Sequence, residues 1–463
     1  MEMDDAIIRH IWGGGTGETL IHPAAILFLA VCGILILVLE RDKAFAVFAI
    51  AGLLIPMSQK AVFLGLNFTA LRILIIAAWA RLFFRMEIHT IRMTAIDKVF
   101  IFWALSNVIA FVLLWQTWGA LVNRLGFLLD AAGIYFLCRQ MISDQEQMDR
   151  AVSALAVISV ILVLIMGAEQ VTGRNPVAFL GGMEEITTER EGVLRSQGPF
   201  AHPITAGTFG AVLIPLLASM WWKPAANRTL IMAGIIASAL VTLLSFSSGP
   251  FLAMLAGIAA LFLSPWRHRL KWLKWGVLST LVILHLIMKA PVWALIDRVG
   301  VFAGSSSYHR FTLVDQFIRR FDEWWLLGTK STNHWGWMMW DTVNQFVGEG
   351  IRGGLLTFIL FIVMLTLCFR AIGSKMDEVQ DNRPAQMVLW ATGSALVAHT
   401  VSFFGIAYFD QMILPWYFLI AMISMISGLE AYELSPTIEA VREYQILENG
   451  AESASGERLW TLP

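Results

Sequence analysis

"AVSALAVISVILVLIMGAEQ", residues 151–170, is an apolar run of twenty residues with one charged side chain, Glu169, near its end. A helix needs about 20 mostly apolar residues to cross the hydrocarbon core of a bilayer, so this run predicts a transmembrane helix. The composition of the 463-residue chain agrees, because 57% of its residues are hydrophobic and 14% are charged. Average soluble domains carry roughly 25% charged residues. We therefore expect an all-α, polytopic integral membrane protein.

Runs of this kind recur along the whole chain. By the same length criterion they are 22–39, 44–57, 62–84, 97–115, 119–138, 151–170, 202–221, 229–246, 249–264, 272–290, 350–370, 386–404 and 410–430. The run 44–57 is short and is ended by Pro56, so it either crosses the membrane or re-enters it. The expected number of transmembrane helices is about twelve or thirteen.

The positions of Lys and Arg predict the orientation of these helices. "SPWRHRLKWLKW" (264–275) and "ARLFFRMEIHTIRMTAIDK" (80–98) are basic, and basic loops are retained on the cytoplasmic side. Counting spans from them places the two longer loops, 171–201 and 291–349, on the outer side. The short joins on that side are near 116–119, 247–249 and 405–410.

The chain divides into four parts on this basis. These are N-terminal transmembrane helices (1–170), a central core that includes both outer loops (171–370), C-terminal transmembrane helices (371–433) and a polar cytoplasmic tail (434–463).

Charge and cysteine content exclude several classes of protein. The formal net charge of -1 excludes a strongly basic nucleic-acid binder. Cys32, Cys138 and Cys368 lie in apolar runs without metal-ligand spacing, so we interpret them as core or lipid-facing residues. The acidic start "MEMDD" lacks the basic region of a cleavable signal peptide.

Two short motifs stand at the outer ends of predicted helices. In "RSQGPFAHPITAG" (195–207), a helix that begins at His202-Pro203 beside Arg195 predicts a phosphate site. Alternatively, Arg195 reaches lipid headgroups and the small residues allow close helix packing. In "SFSSGP" (245–250), the serines either satisfy freed backbone groups at a hinge or line a substrate crevice.

The larger outer loop contains "YHRFTLVDQFIRRFDEWWLLGT" (308–329). The spacing predicts an amphipathic helix along the outer interface, capped within 305–307 and running to Trp325. Its apolar face is expected to comprise Leu313, Phe317, Phe321 and Trp324. The tryptophans expected to anchor the loop at the interface are Trp324, Trp325, Trp335, Trp337 and Trp340.

Interfacial anchoring does not explain the polar residues that follow. These are His309, Arg310, His334, Asp341, Asn344 and Arg352. Ionisable groups at membrane depth cost roughly 2.5–3.5 kcal/mol each, so they are functional candidates by default. An ion pair of Glu349 with Arg352 at helical spacing is the structural alternative. The glycines of "GEGIRGGLLTF" (348–358) are expected to let the following helix bend or approach a neighbour closely.

In order and spacing, these motifs together with "WDTVNQFVGEGIRGGLLTF" (340–358) resemble the O-antigen ligase/polymerase superfamily of bacterial envelope proteins. The resemblance covers roughly residues 195–370. It implies a C-type glycosyltransferase arrangement in the bacterial inner membrane, with a large periplasmic loop. It also implies a substrate glycan linked through diphosphate to a polyprenol, and no metal, cofactor, nucleotide sugar or nucleic acid. The implied partners are membrane lipids, a flippase and a chain-length regulator.

One departure from the family favours polymerase over ligase. Ligases carry a histidine, then Asn, Ser or Gln, then nine residues and Gly-x-x-Gly. Measured back from Gly350, that position is Met339 here, followed by Trp340, and His334 lies too early. The resemblance therefore favours a polymerase of O-antigen or exopolysaccharide repeat units. A ligase acting on a lipid or protein acceptor and a transporter of lipid-linked sugar are the alternatives.

The expected site residues fall into three groups. The candidate bases that take the acceptor proton are Asp341, His309 and His334. The residues expected at the diphosphate are Arg195, Arg310 and His202. Those expected at the glycan are Asn344, Gln345 and Arg352.

Overall fold

The computed structural model describes residues 19–63, 66–223, 226–298 and 307–429. The predicted cytoplasmic tail and the capping residues 305–306 lie outside these ranges. The described part is mostly helical. Its helices are α1 (Pro23–Val38), α2 (Arg41–Leu54), α3 (Ala70–Phe84), α4 (Ala95–Trp115), α5 (Trp118–Met141), α6 (Gln145–Thr172), α7 (Pro203–Ser219), α8 (Arg228–Leu244), α9 (Ser248–Phe262), α10 (Leu270–Ile287), α11 (Ser307–Arg319), α12 (Phe321–Trp324), α13 (Gln345–Glu378), α14 (Arg383–Ser402) and α15 (Ile413–Gly428). Two antiparallel hairpins pair β1 (Lys60–Phe63) with β2 (Leu66–Thr69) and β3 (Glu189–Arg190) with β4 (Val193–Leu194).

Each of the thirteen predicted spans overlaps one of these helices. Among the described residues, six helices are both long enough and apolar enough to cross a membrane, and a seventh is added if the bent pair Trp275–Ile287 and Val292–Arg298 is one span. Helices α1, α8 and α9 are apolar but shorter. The chain is therefore an all-α, multi-pass membrane protein, and about half of the expected crossings meet the length and hydropathy criteria together.

The prediction of a span over 62–84 was wrong in its first part. Residues 60–63 and 66–69 form the β1–β2 hairpin, and α3 begins only at Ala70. The hydroxyl of Thr69 accepts a hydrogen bond from the Arg72 amide, so it caps the helix and fixes where it starts. A continuous apolar run therefore contains both a hairpin and a helix.

Helices α7 and α15 lie at the centre of the molecule. Both are buried over most of their length. Helix α7 packs on α8, α9 and α14, and α15 packs on α5 and α13. Close contacts occur where α7 carries glycine: a Cβ on Gly207 would lie 2.2 Å from the Ser245 hydroxyl, and one on Gly210 would lie 2.3 Å from the Ser238 carbonyl. The small residues of α7 therefore allow close helix packing, as one reading of the sequence predicted.

The predicted amphipathic helix is present but is divided in two. Helix α11 ends at Arg319, and α12 follows after a non-helical Arg320. Leu313, Phe317 and Trp324 are buried in a small core of their own, whereas Phe321 is exposed. The rings of Phe317 and Trp324 stack with centroids 3.9 Å apart, an arrangement worth about 0.5–1.5 kcal/mol beyond the buried area.

Two of the five predicted anchoring tryptophans are core residues instead. Trp324 and Trp335 are each 3% exposed, and both belong to this small core. Trp325, Trp337 and Trp340 are exposed, which is compatible with an interfacial position. The prediction failed for Trp324 and Trp335 because hydropathy alone does not distinguish burial in protein from burial at a membrane surface.

Helix α13 is broken, as its glycines led us to expect. Gly354 has φ 71° and ψ -172° inside the helix. The segment after α12 runs across the break, where the Leu355 amide donates to the Trp325 carbonyl at 2.7 Å and the Thr329 amide donates to the Ile351 carbonyl at 2.9 Å. The loop thus satisfies backbone groups that a continuous helix would have paired internally.

We expect Gly354→Ala to destabilise the fold by about 3 kcal/mol. A Cβ at Gly354 would lie 2.5 Å from the Leu326 carbonyl oxygen, and the backbone conformation is one that L residues avoid. Thermal unfolding of the purified protein in detergent measures the effect. Gly373→Ala is the matched control, because Gly373 is on the same helix with no atom within 4 Å of the new Cβ. Equal melting temperatures for the two variants would contradict this account of the break.

The alternative ion pair of Glu349 with Arg352 is not formed. Within the described residues Arg352 has no carboxylate oxygen within 4 Å; its Nε donates to the Gly348 carbonyl at 2.9 Å. The Glu349 carboxylate instead accepts hydrogen bonds from Trp103 Nε1 at 2.8 Å and Gln345 Nε2 at 2.5 Å. Glu349 is therefore a buried, hydrogen-bonded carboxylate inside the bundle.

Candidate functional site

The serine-rich hinge between α8 and α9 holds Arg195. Arg195 Nη2 donates to the Ser247 hydroxyl at 2.7 Å, and that hydroxyl donates to the Ser245 carbonyl at 2.9 Å. The hinge turns sharply because Phe246 has a left-handed backbone, with φ 40°. The Arg195 amide also donates to the Thr188 carbonyl at 2.9 Å. The guanidinium is therefore held in a fixed position, and Arg195 as a whole is 7% exposed.

Arg310 reaches the same end of the bundle from the first turn of α11. A Cβ built on Gly249 would lie 3.9 Å from Arg310 Nη2, and one built on Gly405 would lie 3.9 Å from Arg310 Nε. The guanidinium therefore packs over two glycine backbones that belong to different connections. Within the described residues, Arg310 Nε is buried and has no hydrogen-bond partner, so this donor is unused by the protein.

A third arginine, Arg190, forms a positively charged cluster with Arg195 and Arg310. Burial lowers the pKa of Arg195, and the charges of Arg190 and Arg310 lower it further. Burial and Arg190 likewise lower the pKa of Arg310, while the Asp341 carboxylate opposes the change. The three guanidinium groups therefore concentrate positive charge at one place, and guanidinium groups are well suited to bind anions such as phosphate.

Arg190 was not singled out by the sequence. It lies on β3 and is exposed, and the flanking glutamates of "ERE" (189–191) made it look like an ordinary charged turn. The signal that could have identified Arg190 was its place in a short hairpin that ends just before the Arg195 motif. The two strands of a hairpin are antiparallel, so the first strand lies beside the residues that follow the turn.

Asp341 and His309 lie at the edge of this arginine cluster. Burial raises the pKa of Asp341, and the nearby charges of His309 and Arg310 only partly oppose that shift. His309 Nε2 lies 2.9 Å from the Asp341 carbonyl oxygen, so the ring donates a hydrogen bond to this oxygen when Nε2 carries a proton. The structure therefore brings two of the three predicted bases together with both predicted arginines.

His202 is neutral and is used to start α7. Its Nδ1 accepts a hydrogen bond from the Ile204 amide at 3.0 Å, which leaves the ring proton on Nε2. Burial, together with the charge of Arg195, lowers its pKa to about 4. A group with that pKa carries no charge at pH 7, so His202 can offer an anion only a neutral N–H donor.

The start of α7 also engages a carboxylate that sequence reasoning missed. Asp410 Oδ2 accepts a hydrogen bond from the Ala201 amide at 2.6 Å, whereas Asp410 Oδ1 is buried without a partner in the described part of the chain. Asp410 has φ 60°, an uncommon conformation for a residue other than glycine. The backbone amides at the start of α7 thus donate hydrogen bonds to protein groups. Because these donors are already used, the arginines are better placed to bind an anion. The only sequence signal was an isolated acid before the last apolar run.

Among the described residues, no contact joins His334 to the arginine cluster. Its Nε2 lies 2.7 Å from Glu323 Oε2, and Trp335 Nε1 donates to the same oxygen at 2.8 Å. Burial alone would raise the pKa of Glu323, but hydrogen bonds from Trp335, Arg320 and His334 lower it to about 2. His334 thus belongs to a network of hydrogen bonds around the Glu323 carboxylate, within the loop.

The three residues expected at the glycan have their polar groups engaged in the protein. Asn344 Oδ1 accepts from the Val347 amide at 3.1 Å and so caps α13. Gln345 Oε1 accepts from the Tyr408 amide at 2.6 Å, while the Gln345 amide donates to the Phe403 carbonyl at 2.8 Å. Arg352 is half-buried, and its Nε donates to the Gly348 carbonyl at 2.9 Å. These contacts fasten the start of α13 to the 403–410 connection, which carries Gly405 and Asp410.

No protein-family model matches the chain, and no curated protein matches it. Among the described residues, no group of three or more His, Cys, Asp or Glu side chains is placed to hold a metal ion. The residues of the site itself therefore carry the argument about function.

Proposed function

We propose that this protein is an integral membrane glycosyltransferase that polymerises oligosaccharide repeat units carried on a polyprenyl diphosphate. The observation that supports the proposal is the cluster of Arg190, Arg195 and Arg310 at one end of the helix bundle. Arg195 and Arg310 also match the positions at which the resembling superfamily places arginines against a lipid diphosphate.

A diphosphate fits this cluster for physical reasons. Guanidinium groups bind phosphate oxygens through paired, charge-assisted hydrogen bonds. Arg195 is held in place by Ser247, and both Arg195 and Arg310 lie in a partly desolvated site, where electrostatic interactions are stronger than in water. Donors held in place before the reaction stabilise the negative charge that develops on a departing diphosphate.

The proposed reaction is a single displacement at the donor sugar. The oxygen of an acceptor hydroxyl attacks the anomeric carbon, and the bond between that carbon and the phosphate oxygen breaks. Polyprenyl diphosphate departs with the bonding electrons, and its charge is stabilised by Arg195 and Arg310. The proton of the acceptor hydroxyl passes to a base. We assign that role to Asp341, since a carboxylate whose pKa is raised accepts a proton more readily near neutral pH.

The proposed location is the periplasmic side of the bacterial inner membrane. The basic loops 80–98 and 264–275 support this orientation under the positive-inside rule. The arginine cluster lies where the connections around 195, 247, 310 and 405 meet. In O-antigen or exopolysaccharide biosynthesis, a flippase would deliver the substrate and a chain-length regulator would act on the product.

A second candidate, transport of lipid-linked sugar, is favoured by the break in α13 and the buried carboxylate of Glu349. Transporters commonly bind substrate at broken helices. The glycan profile of a deletion strain distinguishes the candidates. Loss of a polymerase leaves single repeats on the outer side, whereas loss of a transporter leaves them on the cytoplasmic side. Loss of a ligase leaves long chains on polyprenol.

We expect Ser247→Ala to reduce polymer formation about tenfold. The substitution removes one hydrogen bond to the charged guanidinium of Arg195, and such bonds contribute about 1.5–3 kcal/mol. Polymer formed per amount of protein in membranes measures the effect. Ser245→Ala should cost less, because Arg195 contacts the Ser245 carbonyl, which the substitution retains. A larger loss in Ser245→Ala would contradict the role given to Ser247.

A further inference from the structure

A polar cavity lies beside the arginine cluster. Its volume is about 230 Å³, and it is formed between the turn at 56–58 and the segment 182–202. Its polar lining comprises Ser58, Glu184, Thr188, Gln197 and His202. Pockets for drug-sized ligands measure about 300–1,000 Å³, so this one has room for a single small ring.

The lining of this cavity does not suit a phosphate. Among the described residues that line it there is no arginine or lysine, and one carboxylate, that of Glu184, is present. The hydroxyls of Ser58 and Thr188 and the amide of Gln197 are neutral groups that both donate and accept hydrogen bonds. A set of this kind matches an uncharged ligand rich in hydroxyl groups, because each hydroxyl also donates and accepts.

One hydrogen bond and one electrostatic interaction join the cavity to the arginine cluster. Thr188 lines the cavity, and its carbonyl accepts the hydrogen bond from the Arg195 amide. His202 also lines it, and the charge of Arg195 acts on the His202 ring. Since His202 Nδ1 is bound to the Ile204 amide, the Nε2–H is the donor left for a ligand.

We propose that this cavity binds the acceptor sugar, with the ring of one neutral sugar residue held by Ser58, Thr188, Gln197 and the Nε2–H of His202. This assignment rests on the proposed function, because an acceptor is needed only if the arginine cluster holds a glycosyl donor. It gives His202 a different role from the diphosphate contact expected from the sequence. The bound ring would present a hydroxyl toward Arg195, where the donor diphosphate lies.

The test measures sugar binding and diphosphate binding separately on the purified full chain in detergent. Saturation-transfer NMR is recorded with glucose, galactose, rhamnose and N-acetylglucosamine, and titration calorimetry is performed with inorganic pyrophosphate. Thr188→Trp fills the cavity, and Gln197→Ala removes one hydrogen-bonding group without filling it. Ile186→Trp is the matched control, because Ile186 is 74% exposed and does not line the cavity.

We expect at least one of the four sugars to bind the wild type and the Ile186→Trp control. Thr188→Trp should abolish this signal, and Gln197→Ala should weaken it several-fold. Pyrophosphate should bind all four proteins equally, which also shows that the variants are folded. Arg195→Ala should lose pyrophosphate and keep the sugar.

Two results would overturn the assignment of the cavity: no sugar of the four binds the wild type, or the sugar still binds Thr188→Trp. Pyrophosphate binding by the wild type would leave the proposed function standing in either case. Failure of pyrophosphate to bind the wild type would instead count against the proposed function.

Discussion

Replacing Arg310 by alanine is expected to lower polymer formation about 100- to 1,000-fold. Loss of one fixed donor to a developing negative charge has a cost of that order. Arg195→Ala should have a similar effect, because the two groups act on the same diphosphate. Arg310→Lys should give an intermediate level, since lysine keeps the charge but cannot bind two phosphate oxygens at once.

The measurement is the length profile of the glycan in cells that carry each variant, with the protein level determined in the same membranes. Arg319→Ala is the matched control for Arg310. Arg319 lies on the same helix, and its side chain is 63% exposed and paired with Asp315. Asp315 is buried but keeps a hydrogen bond from Trp293 Nε1 at 3.0 Å when Arg319 is replaced, so the protein should fold and polymer should form normally. Normal polymer from Arg310→Ala at normal protein level would contradict the proposed mechanism.

Asp341→Asn is expected to lower the rate about 100- to 10,000-fold, the range in which a positioned base contributes. Asparagine keeps the shape of the side chain but cannot take the acceptor proton. In the wild type, the rate should fall as pH decreases through the pKa of Asp341, because only the carboxylate form is a base. Burial raises that pKa above its ordinary value of 3.8, so the fall should begin at a higher pH than for an exposed aspartate.

The decisive readout is the acid limb of the pH–rate profile. It should be present in the wild type and in the control Asp322→Asn, whose side chain is exposed on α12. The residual rate of Asp341→Asn should lack this limb. If Asp341→Asn kept the full rate and Asp410→Asn lost it, the base would be Asp410 and our assignment would be wrong.

The sequence predicted those features that depend on local composition. Long apolar runs gave the helices, because a segment of that length buries its backbone polar groups by hydrogen-bonding within itself. The glycines of 348–358 predicted that this helix could bend, and the break lies at one of them, Gly354, since only glycine adopts such a backbone conformation readily. The resemblance supplied Arg195 and Arg310, which the structure brings together.

Features that depend on distant contacts could not be predicted. Asp410 joins the site through the Ala201 amide, 209 residues away in the chain, and nothing near Asp410 indicates that partner. Arg190 lies between two glutamates on an exposed strand, and only the pairing of that strand with Val193–Leu194 connects it to the Arg195 motif. Trp324 and Trp335 resemble interfacial anchors in composition, and only their packing shows that they are core residues.

The most direct test of the account uses the purified protein in liposomes with a polyprenyl-diphosphate-linked repeat unit as the only substrate. We expect a ladder of polymers, with one polyprenyl diphosphate released for each linkage formed, and we expect both products to fall about 100- to 1,000-fold with Arg310→Ala. Release of no polyprenyl diphosphate by the wild type would contradict the central claim that the arginine cluster acts on a lipid-linked diphosphate.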